Sequence, residues 1–335
     1  MPRRAAALAA ILLLLASCDS AARSDGLPPA DPGLPPPATK EQNLEAERLM
    51  VELDQEVAAM RSLPPEGLKP RELAFGKRLE AALGTTIGTK FENKNLYWLA
   101  FWRLTYSAGD GADVDQLLDR LERLPSPSWK ASGSSLRVQL RLHQGRIREA
   151  RALAEPLVAR IKEFSWLLDQ VAFHESIGQK APRLPGRNLN GGAEDPLAGR
   201  EPWVVYLFVE QFNDSAAFLA NSYRSAIATL TPPSQARLVV VTFEGTALEP
   251  VARLRRLVPG DNLPDLLWAN PNQGGDADAW RARWKLPPSL PHACLVGPDR
   301  SIMAVDLAPE ALSRQLGGAS GPAGGPARPL SAPAP

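Results

Sequence analysis

Two cysteines and three histidines are all the thiol and imidazole that this 335-residue chain can bring to chemistry: Cys18, Cys294, His143, His174 and His292. A metal site needs several such groups, with carboxylates, at short regular spacings; none is present. The acids of "GGDADAW", Asp276 and Asp278, suit the start of a helix better than a cation. No Ser-His-Asp order, phosphate-binding glycine loop or dinucleotide fingerprint stands out. Neither a metal nor a cofactor is therefore expected. Thiol exchange needs one thiolate to attack and a second sulfur to resolve the product. Cys294 lies inside the strand-like "HACLV", where a cysteine serves as a small apolar filler and burial keeps it an inert thiol. His292 follows a proline loop and is expected to be exposed, with no nucleophile to serve. His143 reads as an ordinary surface or interface residue and not as a ligand.

The elements that would hold these groups lie in the second half of the chain. "PWVVYLFVEQF" is an unbroken apolar run, the signature of a strand buried on both faces. "NDSAAFLANSYRSAIATL" is an amphipathic helix that follows it almost directly. "ARLVVVTFE" is a second buried strand, and "ALEPVARLRRLV" and "DADAWRARWKL" are helices. "SLPHACLVGPDRSIMAVDL" is two strands joined by a Pro-Asp turn. Asn, Asp and Ser side chains accept hydrogen bonds from the unpaired N–H groups of a helix's first turn, so Asn213-Asp214-Ser215 caps the helix after the first strand. Such a helix end also attracts anions, which leaves a small anion or a peptide carboxylate as an occupant.

This order resembles the thioredoxin-like family, thiol:disulfide reductases and peroxiredoxins included, over roughly residues 177–316. "IGQKAPRLPG" resembles the family's entry segment, in which a Gly-x-x-Ala-Pro phrase precedes the first strand. "LPPSLPHACLVGPDRSI" resembles the segment in which a proline, usually in cis, precedes the penultimate strand; Pro291 takes that place, after Leu290. Arg300 stands where a glycine is common in the turn. The resemblance implies that Phe212 takes the place of the family's tryptophan, Asn213 that of the nucleophilic cysteine and Ala216 that of the resolving cysteine. An amide and a methyl group can do the work of neither. The resemblance also places a peptide-binding groove between Phe212, Asn213, Asp214 and Ser215 on one side and Leu290 and Pro291 on the other.

Residues 39–176 read as an all-α domain of helical hairpins. Thr39 and Gln42 have capping-box spacing, and Leu49, Leu53, Val57 and Met60 then form one apolar stripe. Leu73, Leu79 and Leu83 repeat the pattern. "NLYWLAFWRLTY" is apolar on nearly every side, as befits a central helix, and its aromatics are core. Val114, Leu117, Leu118 and Leu121 follow the helical period. Leu136, Val138, Leu140 and Leu142 alternate as in a strand, yet "GRIREARALA" resembles the middle of a tetratricopeptide repeat, with Gly145 at a turn and small alanines where two helices touch. No second copy accompanies it at the ~34-residue spacing of such repeats. The segment is expected to be a helical hairpin, with Pro156 as a kink. Such hairpins bind peptides or proteins, or pack on a neighbouring domain.

The ends differ from both domains. Arg3 and Arg4 precede the apolar run Ala5–Leu15, a secretion signal too short for a membrane span. "LASC" resembles the bacterial lipoprotein box. The resemblance implies that residues 1–17 are a signal peptide and that Cys18 carries palmitate and other lipid, which membrane lipid holds firmly. Asp19 resembles an inner-membrane retention signal. Residues 18–38, rich in proline, form a tether of up to ~60 Å at 3.1 Å per residue, and residues 317–335 a disordered tail. With Cys18 lipidated, Cys294 has no disulfide partner.

Charge narrows the partners. Lys and Arg number 38 and Asp and Glu 37, for a net charge of +1, so no basic face suits nucleic acid. The expectation is a lipid-anchored, periplasm-facing cell-envelope protein with a thioredoxin-like domain lacking its redox cysteines, serving to bind or scaffold a protein or peptide partner. Two alternatives stand beside it: a thiol-dependent oxidoreductase using Cys294 or a partner's cysteine, and a structural spacer within an envelope complex.

Overall fold

The computed structural model describes residues 36, 38–60, 65–106, 111–184, 186–187, 193–194, 203–230, 236–243, 266–269 and 277–317. The signal segment, Cys18, the tether apart from residues 36 and 38, the tail beyond 317, the expected helix "ALEPVARLRRLV" and Asp276 lie outside these residues. No helix among the described residues is long and apolar enough to cross a membrane. The chain divides into two compact units between Leu168 and Asp169.

The first unit is helical: α1 (Lys40–Met60), α2 (Pro65–Thr86), α3 (Glu92–Tyr106), α4 (Ala112–Arg123), α5 (Pro127–His143) and α6 (Ile147–Arg160), with α7 (Trp166–His174) running across the division. Thr39 and Gln42 form the expected reciprocal cap: Thr39 N donates to Gln42 Oε1 at 2.7 Å and Gln42 N to Thr39 Oγ1 at 3.2 Å. The α1 stripe buries Met50, Leu53, Val57 and Met60, with Leu49 half-buried beside it. On α2 the buried line is Phe75, Leu79 and Ala82, and Leu73 is exposed. Leu73 precedes Phe75 by two residues, about 200° around a helix of 3.6 residues per turn, and so misses the core. Leu96 to Ala100 of α3 are all buried, as a central helix requires, and α4 buries the four predicted residues.

The alternating Leu136–Leu142 segment is helical. Its alternation reflects enclosure on most sides, since Ala131, Ser132, Gly133 and Ser135 are buried with it. Gly145 makes the turn at φ 71°, and Ala150 and Ala154 are fully buried where small residues were expected. Helix α6 continues through Pro156. Ion pairs bind α4 to α5: Arg137 reaches Asp115, Asp119 and Glu122 at 2.7, 2.8 and 3.0 Å, and Arg141 reaches Asp115 at 2.8 Å.

The second unit carries β1 (Gly186–Arg187), β2 (Ala193–Glu194), β3 (Trp203–Val209), α8 (Asp214–Ala228), β4 (Ala236–Thr242), β5 (Leu266–Ala269), α9 (Ala277–Arg283), β6 (His292–Val296), β7 (Ile302–Val305) and α10 (Pro309–Gly317). The strands form one mixed sheet in the order β2-β1-β5-β4-β3-β6-β7. Strand β3 is parallel to β4 and antiparallel to β6; β4 and β5 are parallel. Side chains alternate between the faces of a strand. Val205, Leu207 and Val209 accordingly pack with α8 in one core, and Val204, Tyr206 and Phe208 pack with Phe173, Trp284 and Cys294 in the other. The β6–β7 turn holds Arg300 at φ 66°. That left-handed conformation is the one a glycine adopts freely, which accounts for the glycine common there in the family the sequence resembles.

Gly76 sets the approach of α2 to α3. A Cβ built on it would lie 2.1 Å from the Trp102 ring, and that ring is held by a bond from its Nε1 to the Glu72 carbonyl at 2.8 Å. Alanine gains about 1 kcal/mol in helix propensity, whereas forced overpacking costs about 1–3 kcal/mol. Gly76→Ala is therefore expected to lower stability by up to roughly 2 kcal/mol, read as an earlier urea midpoint with an unchanged slope.

Candidate functional site

Strand β3 ends at Val209, and the chain reaches α8 within four residues. Phe212 is fully buried in the α8 core. Its side chain therefore faces inward, and the surface at this turn is made by the exposed Asn213, Asp214 and Ser215. Asn213 is the N-cap: its Oδ1 accepts from Ala216 N at 3.0 Å and its carbonyl from Ala217 N at 2.8 Å. A cap of this kind is worth about 1 kcal/mol. Ala216, at the place implied for a resolving cysteine, is buried.

The register Phe208↔His292 sets the start of β6 beside the end of β3. Leu290 and Pro291, both half-buried, thus lie at the same end of the sheet as the α8 N-terminus. The Leu290–Pro291 peptide bond is cis. Parallel β5-β4-β3 flanked by the antiparallel β6-β7 hairpin, with a helix capped directly after central β3 and a cis-proline directly before β6, is the arrangement the sequence resemblance implied.

The C-terminal unit has a thioredoxin-like fold.

Comparison with solved structures finds a thioredoxin-like protein from Bacteroides caccae at 11% identity, covering 86% of this chain and 99% of that one, with a TM-score of 0.38. The thioredoxin domain of a thiol-disulfide oxidoreductase from Bacteroides vulgatus matches at 13% identity over 42% of this chain and 96% of its own, TM-score 0.36. A secreted disulfide oxidoreductase from Mycobacterium tuberculosis matches at 16% identity over 41% of this chain and 96% of its own, TM-score 0.30. No family model matches the sequence, and no curated protein matches it either. The assignment of the domain rests on its own strand order and turn.

Within the thioredoxin-like domain, Cys294 is wholly buried in β6, opposite Tyr206 of β3 and Val305 of β7. Burial, and then the nearby Asp306 carboxylate, push its thiol far above the usual cysteine range. At neutral pH it is a thiol and not a thiolate, and it faces the core instead of the capped turn.

His292 corrects the expectation of an exposed loop histidine. It is the first residue of β6, on the Cys294 face, and only 6% exposed. Its Nδ1 lies 2.5 Å from Asp306 Oδ1, and His174 Nε2 lies 3.5 Å from Asp306 Oδ2. The Phe173 ring stands edge-on to the His292 ring at 5.3 Å between centroids. Sequence reasoning missed this cluster, because its members come from the end of α7, the start of β6 and the residue after β7. The one available signal was an aspartate directly after an apolar strand. Among the described residues, no group of three or more His, Cys, Asp or Glu is arranged to hold a metal ion. Asp278 is exposed in the first turn of α9, and His143 is exposed at the end of α5.

On the other flank of the turn, Arg281 of α9 pairs with Glu210 and lies over the Phe243 ring, 4.2 Å from its centroid. The rim thus mixes both charges with the Asn213–Ser215 polar turn and the apolar Leu290–Pro291 step.

The position of Cys294 makes its chemistry testable. Iodoacetamide at pH 7.5 is expected to leave Cys294 unmodified in the folded protein and to label it in denaturant, read by site-resolved mass spectrometry.

Proposed function

We propose that this chain is a lipid-anchored cell-envelope protein whose thioredoxin-like domain binds extended polypeptide and carries out no thiol exchange. One observation carries the proposal: the first turn of α8 is closed by an Asn213 cap and contains no sulfur, while Cys294 is sealed in the core. Exchange requires a thiolate that can reach a disulfide, and neither position offers one. The burial of Cys294 weighs against the alternative of a thiol-dependent oxidoreductase working through that residue.

What remains at this end of the sheet suits a polypeptide. The Leu290–Pro291 step offers half-buried apolar surface beside exposed Asn213, Asp214 and Ser215, a mix of apolar floor and polar rim typical of interfaces. The lipid anchor is supported by the sequence alone, through the apolar run and Cys18 of "LASC". A tether of about twenty residues then sets the domains off the bilayer.

The purified protein is expected neither to reduce insulin nor to oxidise a dithiol above the uncatalysed rate. It is expected to bind carboxymethylated α-lactalbumin, a permanently unfolded polypeptide, with micromolar affinity, of about −8 kcal/mol. Catalysis that persists after Cys294→Ala would overturn the assignment. Cys18→Ala is expected to abolish incorporation of labelled palmitate in a bacterial host.

A further inference from the structure

We propose that Asp306 is the positioning residue of the Leu290–Pro291 turn. The buried His174–Asp306–His292 cluster, in this account, fixes the conformation in which that turn meets a polypeptide. The inference deepens the peptide-binding proposal and rests on it only for the consequence in binding.

The geometry converges on His292, the residue next to Pro291. Asp306 grips this point twice. Its carboxylate holds the His292 ring at 2.5 Å, and its backbone N donates to the Ala293 carbonyl at 2.7 Å. The carboxylate is then braced from the other side by His174 at 3.5 Å, and Phe173 backs the imidazole edge-on. Asp306 and His292 side chains are each 6% exposed and that of His174 is 10% exposed, so solvent screens these contacts little.

Two features fit positioning better than packing. Asp306 sits at φ 52°, a left-handed conformation uncommon outside glycine, though Asp and Asn tolerate it better than most. A carboxylate there aims at His292, where a glycine would have relieved the backbone. In addition, His292 Nε2 is buried without a hydrogen-bond partner. An ionised carboxylate only accepts, so the nitrogen facing Asp306, Nδ1, is the one that donates. Leaving a buried polar atom unpaired is unfavourable; apolar side chains would fill the same volume without that penalty. What the ionic cluster adds is a single ring orientation and a single placement of the strand start after Pro291.

The experiment uses the full chain carrying Cys18→Ser, labelled with nitrogen-15. Its readouts are the His292 side-chain spectrum, the backbone resonances of Leu290 and His292, and binding of carboxymethylated α-lactalbumin. In the parent, His292 is expected to show a protonated Nδ1. Asp306→Gly removes the carboxylate while relieving the backbone. It is expected to release the His292 tautomer, to broaden or split the Leu290 and His292 resonances, and to weaken binding by about tenfold through lost preorganisation. Asp306→Asn keeps the size, the backbone tolerance and one acceptor oxygen. It is expected to retain the tautomer, to move the Nδ1–H signal upfield as a neutral acceptor replaces a charged one, and to restore most of the binding. If Asp306→Gly leaves the turn and the tautomer unchanged, the positioning role is overturned, whatever happens to binding. If the parent fails to bind the probe while Asp306→Gly still disturbs the turn, the positioning role stands and the peptide reading falls. Should Asp306→Gly not fold, an unshifted Nδ1–H signal in Asp306→Asn overturns the role equally.

Discussion

Everything in the C-terminal unit follows from one constraint: β3 is apolar on both of its faces. Val204, Tyr206 and Phe208 enter one core and Val205, Leu207 and Val209 the other. A strand that would expose either face to water would forfeit about 1.5–3 kcal/mol for each large side chain left uncovered. It must therefore lie inside the sheet, with a partner on each edge and a layer on each side. Strand β4 takes one edge in parallel and β6 the other in antiparallel fashion. Once β6 is fixed in that register, its N-terminal residue stands opposite Phe208, and the Leu290–Pro291 turn has nowhere to go but the end where α8 begins. The candidate site is thus a by-product of burying one strand.

The same constraint explains why the site can persist without sulfur. Helix α8 must start where β3 stops, and its first N–H groups need partners whether or not chemistry happens there. Asn213 supplies one from its own side chain. The capping energy, about 1 kcal/mol, is small beside the apolar burial that holds the helix to the sheet through Leu219, Tyr223 and Ile227. The fold does not depend on cysteines at this turn, so the turn keeps its shape with Asn213 and Ala216 in those places. Cys294 does not compensate, because the alternation that buries Tyr206 also turns the thiol into the same layer.

Legibility in the sequence tracked the range of the interaction. The β3 run, the Asn213 cap, the Thr39–Gln42 box and the α4 stripe depend on residues within a few positions of one another, and each could be read directly. Pro291 was placed by resemblance to a segment of contiguous chain. Leu73 was misjudged because it stands six residues before Leu79, about 120° around the helix from it, and only the neighbouring helices decide which line is buried. The alternating Leu136–Leu142 segment looked like a strand because a helix enclosed on most sides carries apolar residues at any spacing. The His174–Asp306–His292 cluster was illegible for a different reason. His292 and Asp306 are 14 residues apart and meet only because a hairpin folds back, and His174 arrives from a helix before the sheet begins. Nothing local distinguishes an aspartate that ends a strand from one that grips a histidine.

The contrast between the two ion-pair systems sharpens that point. Arg137 and Arg141 bridge α4 and α5 from side chains only 13% and 12% exposed to carboxylates that are 26–54% exposed, so water reaches each pair from the carboxylate side and weakens it. Arg137 divides its contacts among Asp115, Asp119 and Glu122, so the loss of one leaves two. The His174–Asp306–His292 cluster has no such latitude. Two oxygens face two imidazoles whose side chains are only 6–10% exposed, so a shift of either ring gives up a largely buried contact. The helix pairs are redundant, whereas each imidazole of the buried set meets a different oxygen of one carboxylate. The buried set thus stands directly behind the Leu290–Pro291 turn, where Asp306 holds both the His292 ring and the Ala293 carbonyl.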